Sequence, residues 1–142
     1  MNTGIRKDWL YLLILFLLII FISIPFELTI SPERKFQITD PYGNAIKDAS
    51  IRQNWDQYAL NVHGEIDVKP CNNGEVYFPR RSVRTNALVL FWGAIKEFKS
   101  YGIHASFGSS EGIGIFVPGF KDTWIYNGKG IERGIVVIGK EP

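Results

Sequence analysis

The sequence predicts an all-β domain that follows one apolar N-terminal helix. Two patterns predict this fold class. Residues 9 to 26 are uncharged and apolar apart from Ser23 and Pro25, and from residue 35 onward short runs of β-branched and aromatic residues alternate with Gly, Pro, Asn and Asp turns. A third pattern, an apolar stripe at helical spacing between residues 80 and 99, predicts one short helix inserted between the strands.

The apolar run begins at Trp9 and ends at Phe26, and none of its 18 residues is charged. As a helix it would be about 27 Å long, close to the hydrocarbon thickness of a bilayer. Because Arg6 and Lys7 precede it, we expect the N-terminus to be cytoplasmic. The predicted organisation is a cytoplasmic N-terminus (1–8), a transmembrane helix (9–26), a tether (27–34) and an extracytoplasmic β-sandwich domain (35–142).

A cleaved signal peptide is the competing interpretation of this run. Cleavage requires small residues at alternate positions after the apolar segment, and Ile22 to Phe26 do not provide them. We therefore expect an uncleaved signal anchor and a single-pass membrane protein.

Charge and cysteine content narrow the possible partners. Lys and Arg number 16 and Asp and Glu 14. Without Arg6, Lys7 and Asp8 the counts are 14 and 13, so the rest of the chain has a net charge of +1. This balance gives no reason to expect nucleic acid as a partner. Cys71 is the single cysteine and cannot form an intramolecular disulfide. We expect no cofactor.

Seven segments have the pattern of strands. Alternation within residues 49–56 places Ile51, Gln53 and Trp55 on one face, which we expect to point into the core. Residues 134–138 are apolar on both faces, a pattern typical of a central strand. The predicted strands contain residues 36–38, 49–56, 66–68, 76–78, 112–117, 123–126 and 134–138.

Two of these segments carry a family resemblance. Residues 43–51 (GNAIKDASI) and 73–79 (NGEVYFP) resemble the turn and hairpin motifs of carboxypeptidase regulatory-like, transthyretin-like domains. The resemblance implies a seven-stranded Greek-key β-sandwich without catalytic residues of its own, in a structural or adhesive role. It also implies a bacterial inner-membrane protein with its C-terminal domain in the periplasm.

Residues 80–99 interrupt the β pattern. Five positions, Leu88, Phe91, Trp92, Ile95 and Phe98, follow helical spacing, and five basic residues outnumber Glu97 by four. The purely structural interpretation is a crossover helix that covers one edge of the sandwich. Contact with an anionic membrane or with a partner's groove is the functional one. The candidate interaction surface consists of Arg80, Arg81, Arg84, Phe91, Trp92, Lys96 and Lys99.

Exposed aromatic side chains offer a second candidate site. Rings on a small β domain can stack on sugars or other ligands, although with aromatics at 14% of the chain most must fill the core. The candidate stacking residues are Trp55, Tyr58, Tyr101 and Trp124, with Tyr126 beside them.

Catalytic and metal chemistry have weaker support. Residues 108–112 (GSSEG) match the G-x-S-x-G nucleophile elbow, but the residues that follow Ser110 predict a strand rather than a helix. His63, Glu65 and Asp67 on one strand face could bind zinc only if folding brought Cys71 and His104 to them. We therefore predict no catalytic or metal-binding residue. The predicted function is a membrane-anchored, non-catalytic interaction module with an envelope or membrane protein as partner, and the alternative is a glycan-binding or small-ligand-binding module.

Overall fold

The computed structural model describes residues 4–139, with side chains from Asp8 onward. Two helices, nine strands and two 3₁₀ turns make up this part of the chain. The helices are α1 (Gly4–Ser23) and α2 (Ala87–Tyr101), and the 3₁₀ turns are Tyr58–Leu60 and Gly102–His104. The strands are β1 (Phe26–Ser31), β2 (Arg34–Thr39), β3 (Ser50–Gln57), β4 (Val62–Val68), β5 (Glu75–Phe78), β6 (Arg81–Thr85), β7 (Ser109–Phe116), β8 (Thr123–Tyr126) and β9 (Ile135–Val137).

The strands form three sheets, and two of them share one core. The larger sheets have the orders β4-β3-β7-β8 and β5-β2-β9, while β1 and β6 pair as a separate two-stranded ribbon. Side chains from both larger sheets form a single buried apolar cluster, as the two layers of a sandwich do. The cluster contains Phe36, Ile38, Ala49, Ile51, Val76, Phe78, Ile113, Ile115, Val117, Ile125, Val136 and Ile138.

The predicted fold class is therefore correct in its β content and wrong in detail. In place of about seven strands in one Greek-key sandwich, the described residues form nine strands in three sheets. The predicted inserted helix is present as α2, but it begins later than the pattern suggested because residues 81–85 pair with β1 as strand β6. Strand β1 occupies most of the segment 27–34 that the sequence assigned to a tether.

The predicted transmembrane helix over residues 9–26 is also wrong. Helix α1 ends at Ser23, and Phe26 already belongs to β1, opposite Thr85. The helical part of the predicted span is Trp9 to Ser23, 15 residues or about 22 Å, which is less than the roughly 30 Å of a bilayer's hydrocarbon layer. In the part of the chain that the structure describes, no helix has the length and apolar character needed to cross a membrane.

Strand β9 was predicted to be central and is an edge strand. It runs parallel to β2, with Ile38 opposite Val136, and has no neighbour on its other side in its sheet. Val136 points into the core, whereas Ile135 and Val137 are 41% and 59% exposed. The apolar residues on its second face are therefore uncovered in this structure.

A buried ionic network joins the ribbon to both larger sheets. The Glu111 carboxylate of β7 accepts hydrogen bonds from Arg34 Nε and Nη2 (3.0 and 2.9 Å), Ser31 Oγ (2.8 Å) and Gln53 Nε2 (2.7 Å). These donors come from β2, β1 and β3. Gly128, at φ +74°, leaves room for the guanidinium, because a Cβ there would lie 2.5 Å from Arg34 Nη1. The Glu111 carboxylate thus links its own strand, β7, to β1, β2 and β3.

Candidate interaction surfaces

Helix α2 is positioned by its two ends and by one glycine. Asn86 caps the first turn, its Oδ1 accepting a hydrogen bond from Val89 N–H at 2.9 Å, and Gly102 ends the helix at φ +59°. Midway along, Gly93 lies against the 3₁₀ turn at Tyr58–Leu60 so closely that a Cβ would overlap the Ala59 carbonyl. The side of α2 that contains Gly93 therefore faces the β domain.

The apolar stripe of α2 faces the other way. At 100° per residue, Phe91 and Phe98 lie on the side opposite Gly93, with Leu88 and Trp92 beside them. Phe91 and Trp92 are 64% and 69% exposed, and no residue of α2 is buried. The sequence also allowed a purely structural crossover helix whose stripe covers one edge of the sandwich. In the structure the stripe does not cover a sheet edge.

Helix α1 adds a second apolar surface. It contacts α2, and every described side chain from Trp9 to Phe21 is exposed on all sides of the helix. We call the exposed side chains of Trp9–Phe21 together with Leu88, Phe91, Trp92 and Phe98 the helical apolar surface. Scattered exposed apolar residues are normal in proteins, whereas large exposed apolar patches are typical of binding interfaces.

The basic residues predicted beside this surface differ in their surroundings. Lys96, Lys99 and Arg84 are exposed, and Arg80 donates a hydrogen bond to Thr29 Oγ1 at 2.7 Å across the ribbon. The Arg81 guanidinium lies over the Trp55 ring, 3.9 Å from its centroid. Four of the five predicted cations are thus exposed, with Arg80 also 3.8 Å from the Glu27 carboxylate, and Arg81 is held by an aromatic ring.

The four candidate stacking residues lie in three places. The Trp55 ring lies under the Arg81 guanidinium and also against Gly64, where a Cβ would lie 2.5 Å from the ring. Trp124 is on the outer face of the four-stranded sheet, between Phe116 (centroids 5.7 Å apart) and Tyr126 (6.4 Å). Tyr58 and Tyr101 line a common cleft. The structure therefore brings together only this last pair.

The cleft has a volume of about 340 Å³ and lies where β3, β4 and the end of α2 meet. Asp56 and His63 are directly opposite each other in the β3–β4 register, so their side chains share the outer face of the sheet. Glu97 lies one helical turn beyond Gly93, on the side of α2 that faces the domain, and His104 follows in the second 3₁₀ turn.

An exposed ion pair marks the opposite end of the same sheet face. Arg52 Nε and Nη2 donate to the two carboxylate oxygens of Asp67 at 2.8 and 2.9 Å. These hydrogen bonds hold the pKa of Asp67 below its ordinary value of 3.8, and they raise that of Arg52.

Replacing Arg52 by Gln is expected to move the pKa of Asp67 up toward 3.8, because the donor that favours the charged carboxylate is lost. A titration of the carboxyl ¹³C resonance by NMR measures it. Lys121→Gln removes one positive charge elsewhere on the surface and should leave the Asp67 titration unchanged. An Asp67 pKa that did not rise in Arg52→Gln would contradict Arg52 as the cause of the lowered pKa.

Comparison with known proteins assigns no family. No family model, no curated protein and no solved structure matches the chain. We therefore argue function from the helical apolar surface and the cleft.

The sequence predicts no catalytic or metal-binding residue, and the structure locates the two motifs that were weighed for those roles. Ser110 lies within strand β7 rather than in a strand-to-helix turn, and its Oγ is 3.1 Å from the hydroxyl of Tyr58. Among the described residues, no group of three His, Cys, Asp or Glu side chains could hold a metal ion. Sequence reasoning missed Asp56 and Glu97 as lining residues of the cleft. The only sequence signal for them was the period-2 pattern of β3 and the helical pattern of α2.

Proposed function

We propose that this chain is a non-catalytic interaction module that is held at a membrane surface through its helical apolar surface and presents its β-sheets to a protein partner of the cell envelope. One observation carries the proposal: α1 is apolar on all sides, and the apolar stripe of α2 faces away from the β core. A helix that is apolar all round is stable only when something apolar covers it.

The positive charge of residues 80–101 favours an anionic lipid surface as the partner that covers the helical apolar surface. Residues 80–101 contain five Lys and Arg against Glu97, a local charge of +4. Lys99 extends from the side of α2 away from Gly93, and Lys96 is exposed at the flank of the helix. Long basic side chains of this kind can reach lipid phosphates while their stems remain on apolar surface. Each basic residue near an anionic surface contributes about 1 kcal/mol.

Two carboxylates in α1 should therefore abolish membrane binding. In the full-length variant Leu13→Asp/Leu17→Asp we expect flotation with vesicles of phosphatidylcholine and phosphatidylglycerol to fall at least tenfold. Each Asp in hydrocarbon costs about 3 kcal/mol, and both leucines are about half exposed. Phe91→Asp/Trp92→Asp should weaken flotation less, because α1 remains intact.

The matched control is Tyr42→Asp/Tyr77→Asp, which introduces the same charges at exposed aromatic positions of a turn and of β5. It should float like the unmodified chain. Equal flotation of all variants, or an unmodified chain that stays with the unbound fraction, would contradict the proposal.

A further inference from the structure

The cleft beside Tyr58 and Tyr101 has a chemical character that membrane attachment does not use. Its volume of about 340 Å³ is within the range of small-molecule sites, which begin at roughly 300 Å³. Its walls come from the β3–β4 pair, the first 3₁₀ turn and the end of α2. The cleft therefore lies on the side of α2 that faces the β domain, and not on its apolar stripe.

Hydrogen bonds hold two of the residues that line the cleft, Gln57 and Tyr58. Gln57 Oε1 accepts from Ala59 N–H at 3.0 Å, and Gln57 Nε2 donates to Ser109 Oγ at 3.3 Å. The Tyr58 hydroxyl is bonded to Ser110, which fixes the ring at the edge of the sheet. Asn61, with φ +51°, ends the 3₁₀ turn and directs the chain into β4.

The charges that line the cleft are all of one sign. Asp56 and Glu97 supply two carboxylates, and no Lys or Arg is among the described lining residues. Neither carboxylate has a hydrogen-bond or ion-pair partner within the described part of the chain, and the same is true of the rings of His63 and His104. An anion would be repelled here, while a cation would gain two unshared carboxylates.

The two tyrosines add a second attraction for the same class of ligand. Tyr101 is 62% exposed, and Tyr58 lines the same cleft as Asp56. Aromatic faces attract organic cations through their quadrupole, and the attraction is strongest for ammonium groups that carry alkyl substituents and are weakly hydrated. Carboxylates alone would suit any cation, whereas carboxylates with tyrosine faces favour an organic one.

From this combination we infer that the cleft binds a small organic ammonium ion. The alkyl groups contact Tyr58 and Tyr101, and the positive charge lies between Asp56 and Glu97. Because Glu97 and Tyr101 lie on the same side of α2 as Gly93, the site is complete only when α2 rests on the 3₁₀ turn.

Choline is the probe, and its neutral isostere 3,3-dimethyl-1-butanol is the control ligand. Both are titrated at pH 8 into the full-length protein in detergent, with binding measured by calorimetry and by the imidazole NMR signals of His63 and His104. Choline should bind with a dissociation constant in the millimolar range or tighter, and at least ten times more tightly than the isostere. Equal affinities, or binding of methyl glucoside but not of choline, would overturn the inference.

Variants locate the binding on the molecule. Glu97→Gln and Tyr101→Leu should each weaken choline binding about tenfold. Glu65→Gln, an exposed carboxylate on β4 outside the cleft, and Tyr77→Leu on β5 should leave it unchanged. If Glu97→Gln does not fold, Asp56→Asn tests the same charge from the sheet side. Unchanged affinity in both cleft carboxylate variants would overturn the inference. Loss of choline binding with intact vesicle flotation separates this site from the proposed membrane function.

Discussion

Replacing Arg34 by Met is expected to lower the free energy of unfolding by about 3–5 kcal/mol. The Glu111 side chain is 3% exposed, and Arg34 supplies the only positive charge that contacts it within the described residues. Methionine fills a similar volume but leaves the carboxylate buried without a counter-charge, with only Ser31 and Gln53 as donors. Urea denaturation followed by circular dichroism measures the loss.

Two comparisons isolate the buried charge as the cause. Arg52→Met removes a guanidinium from the exposed pair with Asp67 and should cost about 1 kcal/mol or less, since exposed pairs contribute little. Adding Glu111→Gln to Arg34→Met should recover much of the stability, because a neutral amide can remain buried next to Ser31 and Gln53. A loss under 1 kcal/mol in Arg34→Met would show that the network does not stabilise the fold, and no recovery in the double variant would show that the uncompensated carboxylate is not the cause of the loss.

This network explains part of what the sequence did not reveal. Alternation of apolar residues located most strands, and Thr123–Tyr126 was predicted with the bounds that β8 has. Glu111, however, lies in a Gly-Ser segment whose composition is typical of a loop, although β7 begins at Ser109. A buried charge has no local signature, because its partner Arg34 is 77 residues away in the chain.

The two-stranded β1–β6 ribbon was not predicted from the sequence, for a similar reason. Strands β1 and β6 are joined by long-range pairing, with Phe26 opposite Thr85 and Leu28 opposite Val83. An apolar run does not indicate where its helix ends, because Phe26 suits lipid and a strand equally well. The predicted span was therefore extended by residues that the structure places after α1.

The candidate surfaces were predictable in residue type and not in arrangement. The stripe of Leu88, Phe91, Trp92 and Phe98 was visible at helical spacing, but hydrophobic periodicity does not specify whether a stripe faces the core or a partner. Tyr58 and Tyr101 were candidates for stacking, and only the contact of α2 with the first 3₁₀ turn places them in one cleft.

That contact depends on Gly93, and Gly93→Ala is expected to displace α2 from the β domain. In an exposed helix the change would stabilise by about 1 kcal/mol, because alanine is the better helix former. Here the new methyl group would overlap the Ala59 carbonyl, and a backbone atom cannot move aside as a flexible side chain can. Overpacking of this kind costs about 1–3 kcal/mol or more, so we expect a net destabilisation. Hydrogen exchange should show faster exchange at residues 58–60 and in α2.

Gly108→Ala is the matched control, since a Cβ there meets no atom within 4 Å. It should change the free energy of unfolding by no more than about 0.5 kcal/mol. Because Glu97 and Tyr101 reach the cleft only while α2 rests on Ala59, Gly93→Ala should also abolish choline binding. Vesicle flotation should persist, because α1 is unchanged. Unaltered exchange in α2 together with unaltered choline affinity would show that neither the helix position nor the cleft depends on this glycine.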